Sequence, residues 1–163
     1  AIERVNERPT LAADRRGVVH AAWTDLRARD ADTNIMYARS ENAGASFGPN
    51  HQLDDSRTGF DVDHDTPTNQ WHPTMALDHG RLFVAWQDDR LGNDDVFFTS
   101  STDAGTTFAA SERVDDTGAG RSTQTRPSLA IMGRGARRRC VVAWEDDRDG
   151  TRDVWLARRP CGG

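Results

Sequence analysis

The chain repeats itself, and no other feature limits its fold as strongly. Arg8-Pro9-Thr10-Leu11-Ala12 returns as His72-Pro73-Thr74-Met75-Ala76 and again as Arg126-Pro127-Ser128-Leu129-Ala130. Ala22-Trp23-Thr24-Asp25 returns as Ala85-Trp86-Gln87-Asp88 and Ala143-Trp144-Glu145-Asp146, with an arginine two positions further on each time: Arg27, Arg90 and Arg148. Between these phrases stand short apolar runs bounded by Gly, Asn and Asp clusters, the pattern of strands joined by turns. In the first copy they predict strands at Thr10–Ala13, Val18–Thr24, Ile35–Ser40 and His51–Asp54, called A to D. A unit of roughly 55 to 65 residues built this way cannot bury its apolar faces alone and must stack on its neighbours. The expectation is therefore an all-β chain, a β-propeller of four-stranded antiparallel blades. Blade 1 would span 8–71, blade 2 72–125 and blade 3 126–163, the last without its own strand D. The unbroken run Leu82-Phe83-Val84-Ala85-Trp86 predicts a strand covered on both faces, as an inner strand is by two neighbouring blades.

A third phrase closes the first two copies only. Ser40-Glu41-Asn42-Ala43-Gly44-Ala45-Ser46-Phe47 matches Ser101-Thr102-Asp103-Ala104-Gly105-Thr106-Thr107-Phe108. Both resemble the Asp-box (BNR) repeats of sialidase-like propellers. The resemblance implies a structural role for Ser40, Asn42, Gly44 and Phe47 and for Ser101, Asp103, Gly105 and Phe108. The Asp or Asn bonds turn backbone, the Gly takes a left-handed conformation and the aromatic packs below. It also implies that the opposite face carries the active site. Asp25, Arg27, Asp88, Arg90, Asp146 and Arg148 would ring that face. Two readings stand open for them: ligand binding, or pairing with one another and with neighbouring blades while Trp23, Trp86 and Trp144 wedge between sheets.

Catalysis of the sialidase type needs a tyrosine nucleophile and an arginine cluster. The single tyrosine, Tyr37, lies mid-strand, in the place of Phe97 or Phe98 in the next copy, and so reads as packing. The Phe/Tyr-Arg-Ile-Pro signature is absent. The residues thus point to a non-catalytic module for a carbohydrate or other polar ligand, the alternatives being a sialidase-type glycoside hydrolase or a purely structural assembly module.

Three blades cannot close a ring, because propellers use about four to eight. An open arc exposes a strand edge and leaves two apolar end faces. Glu3-Arg4-Val5 recurs as Glu112-Arg113-Val114, so residues 1–7 are expected to act as a strand D that completes blade 3 of a second chain, two chains making one six-bladed homodimer. The competing expectation is that the chain is a piece of a longer propeller.

Composition narrows the partners. A formal charge of −5 disfavours nucleic acid. All 21 basic side chains are arginine, which excludes Schiff-base lysine chemistry and suits bidentate contacts to carboxylates. No apolar run is long enough to span a bilayer. Cys140 and Cys161 sit in or beside two apolar runs that a turn at 147–152 would fold into a hairpin, which predicts a disulfide and a secreted or periplasmic protein; two unrelated thiols is the other reading. In the longest connection, Asp61, Asp63 and Asp65 alternate like the opening of a calcium loop but lack the Gly and terminal Glu that would follow, so Ca²⁺ binding stands beside a solvated acidic loop.

Overall fold

Short runs joined by tight turns pair with their neighbours in sequence, and the result is three antiparallel sheets side by side. The computed structural model describes residues 6–26, 32–55, 68–118 and 121–161. The first sheet holds β1 (Asn6–Ala13), β2 (Val19–Asp25), β3 (Asn34–Ser40) and β4 (His51–Gln52) in chain order. The second repeats it with β5 (Gln70–Asp78), β6 (Arg81–Asp88), β7 (Asp95–Ser101) and β8 (Glu112–Arg113). The third, among the described residues, has β9 (Gln124–Met132), β10 (Arg139–Asp146) and β11 (Asp153–Pro160).

The fourth strands are short because a side chain takes over from the ladder. Leu53 N–H donates to the Ile35 carbonyl at 2.8 Å, and the next residue, Asp54, accepts the Ile35 N–H on Oδ1 at 2.6 Å. Val114 and Asp115 do the same for Val96, at 2.8 and 3.2 Å.

The edge strands β1, β5 and β9 lie next to one another, so they gather about a common axis. Each carries one extra residue relative to its partner: Glu7 and Thr10 face Thr24 and Ala22, Trp71 and Thr74 face Gln87 and Ala85, and Thr125 and Ser128 face Glu145 and Ala143. Proline cannot donate to a ladder and is confined to edges and bulges, which accounts for Pro9, Pro73 and Pro127 here. This bulge also corrects a boundary. Residues 6 and 7, expected to belong to a strand D of another blade, are part of β1, where Asn6 pairs with Asp25 and Glu7 with Thr24. Pro9 bends the strand without ending it. Residues 1–5 lie outside the described residues.

The core forms in two layers. Ala22, Ile35, Tyr37 and Leu53 of the first sheet meet Met75, Leu82, Val84, Trp86 and Phe97 of the second. Phe83, Ala85, Val96 and Phe98, on the other face of the second sheet, meet Cys140, Val142, Trp144 and Cys161. The middle sheet is thus covered on both sides, and β6 is buried from Leu82 to Asp88 as its apolar run predicts. The two end sheets are not. Leu11 is 66% exposed on β1, while Val154 and Leu156 are 76% and 62% exposed on β11 and Met132 is 48% exposed on β9.

Cys140 and Cys161 form a disulfide across 21 residues, with Cα atoms 5.0 Å apart, and tie the end of β11 to the start of β10. Closing a loop of that length removes unfolded-state entropy worth about 3 kcal/mol. Replacing both cysteines by alanine is expected to lower the unfolding free energy by about that amount, measured by urea titration with the wild type under reducing conditions as the second arm. An unchanged midpoint in both arms would mean that the bridge contributes nothing.

Candidate functional site

Each Trp-x-Asp phrase ends a second strand, and its local geometry is the same in all three sheets. The indole Nε1–H of Trp23 donates to Asp25 at 2.9 Å, that of Trp86 to Asp88 at 2.8 Å and that of Trp144 to Asp146 at 2.9 Å. Alternation places Trp and Asp on one side of the strand, two residues apart, so the pair closes on itself. All three carboxylates are buried.

The arginines then tie sheet to sheet. Arg90 donates from Nε and Nη2 to Asp88 at 3.0 and 2.6 Å and from Nη1 to Asp55 at 2.8 Å, and its guanidinium lies 4.3 Å from the Phe97 ring centroid. Asp55 follows the outermost strand of the first sheet. Arg148 repeats the joint one sheet later, from Nε and Nη2 to Asp146 at 3.0 and 2.6 Å and from Nη1 to Asp116 at 2.7 Å, over the Trp155 ring at 4.0 Å. Burial works against the Arg90 charge, yet the bonds from Asp88 and Asp55 more than offset it and hold the group above its ordinary pKa. Burial likewise opposes the Asp146 carboxylate, and Arg148 and Trp144 overcome it, leaving a pKa of about 2. With an Arg90 side chain at 0% exposure, the donors are spent inside the protein and the geometry is that of a joint between sheets. Arg27 lies outside the described residues, as do Asp61, Asp63 and Asp65. Among the described residues no group of three or more His, Cys, Asp or Glu stands close enough to hold a metal ion.

The two Ser-x-Asn/Asp-x-Gly turns lie at the opposite ends of the strands. Asn42 Oδ1 accepts from the Ser46 N–H at 2.9 Å, and Ser40 Oγ accepts from the Gly44 N–H at 2.9 Å. In the second copy Asp103 accepts from the Thr107 N–H at 2.9 Å and Ser101 from the Gly105 N–H at 2.9 Å. The Thr107 N–H and hydroxyl hold the Asp103 carboxyl well below the usual range. Phe108 packs edge-on against Tyr37 of the first sheet with centroids 5.1 Å apart, whereas Phe47 faces the open end. Tyr37 is fully buried, 2.7 Å from His20 Nδ1, with burial pushing its hydroxyl up to about 12.

What the face about the axis does present is the bulge. Arg8, His72 and Arg126, the residue before proline in each copy, have φ of 55°, 53° and 53°. A residue with a Cβ rarely adopts this left-handed conformation, and such strain costs of the order of 1–3 kcal/mol per residue. Here it recurs three times at one structural position, where a bulge re-aims a side chain. The three side chains converge. Burial first, and then the charges of Arg8 and Arg126, hold the His72 imidazole below its ordinary pKa, with Glu7 and Glu145 acting the other way. Arg8 pairs with Glu7 at 3.2 Å and Arg126 with Glu145 at 3.2 Å, while Arg152 reaches Glu145 at 3.5 Å. Unlike Arg90, Arg8 and Arg126 keep 49% and 61% of their side-chain surface in solvent, so their remaining donors are available to a ligand. Two guanidiniums, an imidazole and two carboxylates suit a ligand rich in hydroxyls and anionic groups. The sequence showed this phrase as a repeat opening and no more; the signal for a site was a proline inside a strand, with a charged or imidazole residue ahead of it in every copy.

No known family profile and no curated protein matches the sequence. Solved structures do match. An α-L-arabinanase of Penicillium chrysogenum, described in complex with arabinobiose, is 14% identical with a TM-score of 0.62 over 96% of this chain and 46% of that one. A GH62 hydrolase in complex with xylotriose is 13% identical with a TM-score of 0.57, over 96% and 47%. The GH93 α-L-arabinofuranosidase of Fusarium graminearum, with arabinobiose, is 14% identical with a TM-score of 0.57, over 93% and 44%. The chain spans just under half the length of these proteins. At such identities the likeness speaks for fold alone: the three sheets are blades of a β-propeller.

Proposed function

We propose that this protein is an extracellular propeller module that binds a carbohydrate or another polar ligand on its axial face and does not cleave it. The observation that carries the reading is the convergence of Arg8, His72 and Arg126 on three strained bulges, with donors facing solvent. The matched propellers are named as carbohydrate-active enzymes, which favours a glycan among polar ligands. The disulfide favours an oxidising compartment. A sialidase-type hydrolase would need an accessible tyrosine nucleophile, and Tyr37 is buried and bonded to His20. Isothermal titration with trigalacturonate, a carboxylated oligosaccharide, tests the site. Arg126→Ala is expected to weaken binding by about 10- to 100-fold, the worth of a hydrogen bond to a charged group, with an unchanged melting temperature. Equal affinity in wild type and variant would remove the site, and turnover of a fluorogenic sialoside or arabinoside would replace the binding module by an enzyme.

The open ends call for cover. Pro9, Ala21, Trp23, Ala38 and Phe47 line an apolar cavity of about 440 Å³ on the first sheet, and Met132, Val154 and Leu156 are bare on the third. A second copy, set end to end, would cover both at once and close a six-bladed ring. In this reading the two faces close the ring by contact, and Asn6 and Glu7 belong to β1. Light scattering at twice the chain mass supports the ring; a folded monomer with both faces exposed overturns it.

A further inference from the structure

The three bulges share a backbone but not a charge state. Arg8 and Arg126 stay protonated at every accessible pH, whereas the middle position holds an imidazole. His72 is half-buried, and the charged groups that face it come from three strands: Glu7 and Arg8 on β1, Arg126 on β9 and Glu145 on β10. Arg152, beyond β10, is joined to Glu145. On its own strand it follows Trp71, whose partner on β6 is Gln87; neither side chain titrates, and the Gln87 amide oxygen accepts the Arg126 backbone N–H at 3.4 Å. With His72 neutral, three arginines and two glutamates leave a net charge of +1, and a proton makes it +2.

We infer that His72 makes ligand capture at the axial site acid-dependent: its protonated ring adds a cation between Arg8 and Arg126 and tightens the hold on a carboxylated or sulfated glycan. This rests on the ligand reading of the site given above. Burial and the two flanking guanidiniums keep the imidazole neutral at pH 7, so the gain comes only as pH falls below its ordinary value of 6.5. A bound anion offsets the repulsion that keeps the proton off. Linkage makes the effect reciprocal: if the protonated form binds about tenfold tighter, bound ligand raises the imidazole pKa by about one unit.

The test is titration of the full chain with trigalacturonate from pH 8 to pH 5 at constant ionic strength, with galactotriose as the neutral control. Uronate carboxylates stay ionised over this range, so any slope belongs to the protein. In parallel, NMR follows the His72 ring resonance with and without trigalacturonate. The expected result is about tenfold tighter binding at pH 5 than at pH 8, a slope lost in His72→Gln, an upward shift of the His72 titration on ligand binding, and no such change for galactotriose. Binding of trigalacturonate that is flat with pH, or a slope that survives in His72→Gln, overturns the inference while leaving the site in place. Failure of trigalacturonate to bind at any pH removes the site itself, and the acid dependence with it.

Discussion

Arg90→Ala is expected to lower the unfolding free energy by about 3–5 kcal/mol, the cost of breaking a buried ion pair from one side. The magnitude follows from what is left behind. Asp88 is fully buried and would be left with the Trp86 indole, the Gln70 amide and one backbone N–H in place of a cation. Asp55 would lose its guanidinium partner and keep the Ser111 N–H and hydroxyl. The Phe97 ring face would lose the cation stacked on it. Arg148→Ala is the natural comparison: it makes the same bonds one sheet later and leaves Asp146 just as buried, but its side chain is 16% exposed and its second partner Asp116 is 86% exposed, so solvent replaces the bond between the sheets. Urea denaturation of both variants reads the difference. Equal small losses would mean that the joint between the first two blades is not held by charge. A loss confined to ligand affinity, with stability intact, would return Arg90 to the binding site.

This joint marks the limit of what could be read from the chain alone. The Trp-x-Asp-x-Arg phrase announced itself by repetition, and the strand it ends was placed within about a residue, because β6 is apolar from Leu82 to Trp86 and has to be covered on both faces. Whether its Arg faces a ligand or a neighbour depends on Asp55 and Asp116, which lie 35 and 32 positions away from the arginines they bind. Local pattern carries no information about such partners. The disulfide was legible for the opposite reason, since Cys140 and Cys161 flank one hairpin whose pairing follows from its own turn. The start of β1 was misplaced because the Arg8-Pro9 phrase was taken as the opening of the repeat, where the strand begins earlier and absorbs the proline in a bulge. That reading also hid the common backbone position of Arg8, His72 and Arg126, which the bulge sets apart from the regular strand. Repeats reveal which positions are equivalent; they do not reveal which of them face the solvent.

Gly105→Ala is the second substitution with a large expected effect, about 2–5 kcal/mol, and Gly44→Ala supplies its control. The two glycines hold the same place in their turns, with φ of +81° and +84°, so both variants carry the left-handed penalty of an added Cβ, about 1–2 kcal/mol. Beyond that they part. A Cβ on Gly44 meets nothing within 4 Å, while one on Gly105 would stand 1.9 Å from the Tyr37 hydroxyl oxygen and 2.8 Å from its ring carbon Cζ. Tyr37 cannot step aside freely, being held by His20 on one side and Phe108 on the other. Either the turn that carries Gly105 lifts away from the first blade or the tyrosine leaves its pocket, and overpacking of this kind costs about 1–3 kcal/mol more. The difference between the two variants therefore isolates the contact between blades from the conformation of the turn. Tyr37→Phe in the Gly105→Ala background removes the oxygen that clashes first and should recover part of the loss, even though Tyr37→Phe alone leaves His20 Nδ1 without its partner; the two changes are thus expected to be non-additive. Chemical denaturation of the four proteins measures the coupling. If Gly44→Ala and Gly105→Ala cost the same, the turn that carries Gly105 is no part of the joint between the first two blades, and the close fit of Gly105 on Tyr37 contributes nothing to holding them together.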